Sequence, residues 1–107
     1  MCDMTYASIW GSEKNFADNH SIESIKESIE NQNEYVADYV RFVRNWKARL
    51  IDYKLMKRQG RKMFLNTPID EEITNARFHY NYCRKTLAYH KVELQFMQRA
   101  LAYKESK

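Results

Sequence analysis

The chain has 107 residues, with 18 Lys and Arg against 14 Asp and Glu for a net charge of +4, and 14% of its residues are aromatic. Two glycines and one proline punctuate too little for a sheet fold, and the aromatic content is too high for a disordered chain, so one all-α domain is predicted. No run approaches the roughly 18 apolar residues that cross a bilayer, and Met1-Cys2-Asp3 lacks the basic start of a secretory signal, so the expectation is a soluble cytoplasmic protein without membrane contact.

Residues 1–20 have no helical period of useful length but carry Tyr6, Ile9, Trp10 and Phe16. Large apolar groups in a polar arm are expected to dock, either on the chain's own core or on a neighbouring subunit. Cys2 in the arm and Cys83 on an apolar stripe do not read as a disulfide framework, and reduced thiols are expected.

A first helix is predicted over 21–65, with Ser21 as N-cap and Glu23 and Glu27 near its positive end. Ile22, Ile29, Val36, Val43 and Leu50 stand seven apart, with Ile25, Tyr39, Trp46 and Tyr53 between them, which makes a heptad a/d stripe. The g column adds Tyr35, Phe42, Met56 and Met63, which is wider than a two-stranded seam needs. Additional helices are expected to cover it, hence a homo-oligomeric bundle. Gly60 is the weak point, where a kink or an early end is expected.

Asn66-Thr67-Pro68 breaks the pattern, and Thr67 and Pro68 suit the cap and first position of a second helix over 67–105. Ile73, Tyr80, Leu87, Leu94 and Leu101 repeat at seven, interleaved by Ile69, Ala76, Cys83, His90 and Met97. Two long helices joined by a short turn must run antiparallel, so the predicted fold is an N-terminal arm over 1–20 followed by a coiled-coil-like helical hairpin over 21–107.

Charge divides sharply along the chain. Residues 1–40 hold eight acids and two bases, whereas residues 41–62 hold nine bases and one acid, Asp52. Lys47, Lys54 and Arg61 share the e column, Arg44 and Arg58 the adjacent b column, and Arg77, Arg84 and Lys91 the e column of the second helix. In an antiparallel hairpin both e columns border one side of the seam. Such a cationic stripe is the footprint expected for a nucleic-acid backbone, with Tyr53, Tyr82 and Tyr89 available to stack bases, although the same stripe can also be a solvated face whose stems cover the core edge.

The run Trp46-Lys47-Ala48-Arg49-Leu50 with Tyr53, followed after a turn by Tyr89, Val92, Phe96 and Leu101, loosely resembles the small phage recombination mediators of the UvsY type. That resemblance implies a helical oligomer that binds single-stranded DNA and helps to load a recombinase.

No catalytic motif, phosphate loop or cofactor signature is present in the sequence. His79 and Cys83, four apart, could share a metal, but no further ligand stands at a suitable helical offset, so no metal and no enzyme are expected. Three functions remain. The first is an oligomeric accessory protein holding single-stranded nucleic acid on Arg44, Lys47, Lys54, Arg58, Arg61, Arg77, Arg84 and Lys91. The second is a small phage-type inhibitor or adaptor acting on a host nuclease or defence complex. It would meet an acidic protein surface, with Trp10 and Phe16 as anchors and Tyr35, Phe42, Met56 and Met63 as further apolar contacts. The third is self-assembly alone, acidic segment against basic segment.

Overall fold

The computed structural model describes residues 5–107; the reading of Cys2 lies outside them. The fold is all-α, a long helical hairpin with an N-terminal arm: α1 (Tyr6–Trp10), α2 (Glu13–Asp18), α3 (Ile22–Arg58), a strand pair β1 (Met63–Phe64) and β2 (Thr67–Pro68), and α4 (Ile69–Glu105). The chain divides after Ala37 and after Lys85 into a terminal unit and a middle unit, Asp38–Lys85. Both long helices contribute to each.

In the terminal unit the arm packs on its own chain. The sequence predicts no helical period in it, and the structure shows two helices, each too short to display one. Thr5 and Ser8 form a reciprocal capping box at α1, Gly11 turns the chain at φ 80°, and Ser12 caps α2 by accepting from Asn15 N–H. Phe16 and Ala17 are buried with Ile25 of α3 and Phe96, Met97 and Ala100 of α4, and Tyr6 and Trp10 pack on this cluster. Side chains of α4 fasten both arm helices. Glu93 Oε2 accepts from Tyr6 N–H at 2.9 Å, Arg99 meets Glu13 at 3.3 Å, and Lys104 Nζ donates to the carbonyls of Ala17 and His20. Ser21 caps α3 as expected, accepting from Ser24 N–H at 3.1 Å.

In the middle unit Leu50 packs with Ile69, Ile73 and Ala76, and Trp46, Tyr53, Met56, Phe64 and Tyr80 surround them. The a and d residues thus face inward on both helices. Helix α3 stops at Arg58 rather than at residue 65, and Gly60 is the reason. At φ 85° its N–H bonds Lys57 O and the N–H of Arg61 bonds Met56 O, the paired closure of a helix that ends on a left-handed glycine. The connection is correspondingly longer than the expected short turn. Met63 pairs with Pro68 and Phe64 with Thr67, and Leu65 turns the chain at φ 55°. Pro68 sits in this pair, and α4 begins one residue later with Ile69 N–H bonded to Lys62 O at 2.8 Å.

Candidate functional site

The division of charge along the sequence carries over to the two units. The middle unit holds twelve bases and five acids, for +7, whereas residues 1–37 with 86–107 hold six bases and nine acids, for −3. The candidate polyanion surface therefore belongs to the middle unit.

Within it, Arg44, Lys47, Lys54 and Arg58 are all exposed on α3, as are Arg77 and Arg84 on α4. Trp46 stacks on His79 at 4.4 Å, and Lys57 Nζ meets Asp70 Oδ1 at 2.6 Å. These contacts set an antiparallel register in which Lys47 and Arg77 flank the same side of the seam. Among the described residues none of Arg44, Lys47, Lys54, Arg58 or Arg77 enters an ion pair. Arg84 lies 5.4 Å from the centre of the Tyr80 ring, which holds its guanidinium in place while leaving its charge uncancelled.

One member of the expected stripe lies elsewhere. Arg61 follows the end of α3, so it has left the e column; its Nε donates to Met63 O at 3.1 Å and its guanidinium sits 5.8 Å from the Phe64 ring. Lys91 is exposed and keeps its place in the e column of α4, within the terminal unit. Of the tyrosines considered for stacking, Tyr53 is packed edge-to-face on Phe64 at 5.3 Å, and burial together with Glu72 pushes its phenol pKa up. Tyr89 lies in the terminal unit, and Tyr82 is 47% exposed.

The apolar partner residues also sort differently from their heptad letters. Phe16 is 1% exposed and is spent inside its own unit, so the expectation that it anchors a partner is corrected. Trp10 is half-buried against Phe16 and His20. Met56 joins the core of the middle unit, and Met63 lies on a strand rather than in a helical column. Tyr35, Phe42 and Met63 remain exposed. The chain's own arm covers other residues, Ile25 of α3 and Phe96, Met97 and Ala100 of α4.

His79 is engaged by Trp46, and Cys83 is buried, which pushes its thiol pKa up. No group of three metal-ligating side chains occurs among the described residues, and no helix among them is long and apolar enough to cross a membrane.

Heptad reasoning missed the g column of α4, where Glu93 and Ala100 are buried. The terminal unit also carries a polar layer, in which His90 is the hydrogen-bonded interior histidine that its place on the apolar stripe suggests. His90 Nδ1 donates to Gln32 Oε1 at 2.8 Å, the Tyr35 ring stacks on His90 at 4.9 Å, and burial pulls the His90 pKa down. Phe78, 65% exposed on the outer face of α4, escaped notice because it lies on neither stripe.

The chain matches no protein-family profile, no curated protein and no solved structure.

Proposed function

We propose that this chain is a non-enzymatic accessory protein that holds single-stranded nucleic acid on the cationic surface of its middle unit. The observation that carries the reading is the +7 charge of residues 38–85, presented largely by exposed side chains. Arg44, Lys47, Lys54, Arg58, Arg77 and Arg84 make the phosphate contacts. A phosphate backbone relieves the mutual repulsion of these cations and releases its own counterions on binding. Recombination and replication are the processes in which such a protein serves. Assembly into homo-oligomers is part of the reading, with Tyr35, Phe42 and Met63 available for burial between copies.

The test is fluorescence anisotropy of a labelled random single strand at low and high salt. The variant is Arg44/Lys47/Lys54/Arg58→Ala, with its helicity verified by circular dichroism. Salt-sensitive binding that the folded variant loses is the expected result. No binding at low salt would overturn the proposal.

A second reading draws on the exposed apolar groups Phe42, Ile51 and Leu55, which adjoin the cations on α3. Apolar anchors ringed by positive charge also suit an acidic protein surface, as in an inhibitor or adaptor. Co-purification with one protein partner, unaffected by nuclease treatment, would favour it.

A further inference from the structure

Phe78 and Tyr82 lie four residues apart on α4, 65% and 47% exposed. That spacing places them on one face of the helix, with Cβ atoms about 6 Å apart. Lys85 falls one turn beyond Tyr82 on the same face, and Arg77 and Arg84 lie about a third of a turn round the helix from Phe78, on the side away from Tyr82; all three cations are exposed. Among the described residues none of the three enters an ion pair.

We propose that Phe78 and Tyr82 are the base-stacking platform of the middle unit, so that unpaired bases are the feature this surface recognises; the inference rests on the nucleic-acid reading above. Cations hold a backbone without distinguishing one strand from two, whereas an exposed ring adds affinity only for a base whose face is open. In a duplex those faces are stacked on one another, and opening a step costs several kcal/mol. Two rings on adjacent turns with Lys85 on the same face therefore favour the single strand.

Toward the start of α4 the surface changes sign, because Asp70 and Glu71 line the hollow beside Phe78. A strand seated on the platform thus runs from Phe78 toward Lys85, away from those carboxylates.

The experiment compares wild type, Phe78→Ala and Phe78→Trp on labelled oligo-dT, oligo-rU and a mixed-sequence duplex, each about 20 units long so as to span at least one binding site. Phe78→Ala should weaken single-strand binding at least about fivefold without changing its salt slope, and should leave duplex binding as it was. Phe78→Trp should restore affinity, with emission that the bound strand quenches beyond the quenching of Trp10 and Trp46 in wild type. A loss confined to dT or to rU still assigns the platform and identifies the sugar it prefers. Unchanged strand affinity in Phe78→Ala would overturn the platform while the salt dependence of wild type kept the phosphate reading. A drop in mass of that variant with unchanged affinity would likewise overturn it and assign the face to self-association. Failure of wild type to bind any strand at low salt would remove both.

Discussion

The carboxylate of Glu93 on α4 accepts a 2.9 Å hydrogen bond from the backbone N–H of Tyr6 at the start of α1, and its side chain is 1% exposed. Burial raises the Glu93 pKa, and the bond from Tyr6 opposes that rise without cancelling it. Burial thus sets the charged form of this fastening at a disadvantage that a neutral acceptor would avoid. Glu93→Gln keeps an oxygen for Tyr6 and removes the charge. We expect it to stabilise the protein at pH 7 by about 1 kcal/mol, read as a rise in Tm. Glu93→Leu removes the acceptor as well and should destabilise.

The sign of the pH dependence follows from the same residue. A carboxyl whose folded pKa lies above its unfolded value binds its proton more tightly when folded, so its contribution to stability falls as pH rises from about 4.3 through the folded pKa. His90 acts in the opposite sense, since burial lowers its pKa and stability is lost as pH falls below about 6.5. Comparing Glu93→Gln with wild type isolates the first effect. The advantage of the variant should shrink from pH 7 toward pH 4 in urea titrations, and an advantage independent of pH would show that Glu93 keeps an ordinary pKa.

The heptad columns made the hairpin legible because burial along both helices repeats with the a/d period, from Ile25 through Leu50 and from Ile69 through Met97. Gly60 was legible for a separate reason, the cost of a glycine in a helix interior. The strand pair was not, since two-residue strands at Met63–Phe64 and Thr67–Pro68 have no alternation to detect. Nor was the burial of Glu93, which depends on an arm distant in sequence closing over a column that reads as polar. The cationic surface was legible as composition. The departure of Arg61 was not, because it left the helix with the turn at Gly60.

Gly60 sets the end of α3 by conformation alone, as a Cβ built at that position meets nothing within 4 Å while φ is 85°. Gly60→Ala should therefore cost about 1 kcal/mol through backbone strain, without steric disturbance. Equilibrium unfolding measures it. A neutral substitution would mean that the helix end can relax to negative φ.

Leu65 offers the converse, an L-residue at φ 55° with a side chain that is 81% exposed. The left-handed conformation costs such a residue about 1–2 kcal/mol, and asparagine tolerates it better. Leu65→Asn should raise stability by about 0.5–1 kcal/mol while leaving nucleic-acid affinity unchanged, since no cation of the surface is touched.

Arg77 and Lys91 provide the sharpest comparison within the proposed surface. Both occupy the e column of α4 and both are exposed, yet Arg77 belongs to the cationic middle unit and Lys91 to the acidic terminal one. Each phosphate contact on a single strand contributes about −0.7 to the slope of log affinity against log salt. Arg77→Ala should reduce the steepness of that slope by about 0.7 and weaken binding at low salt, whereas Lys91→Ala should leave the slope as it is. The measurement is a salt titration of anisotropy for the two variants and wild type. Equal loss of slope in both would extend the binding surface into the terminal unit, and loss with Lys91→Ala alone would place it there instead.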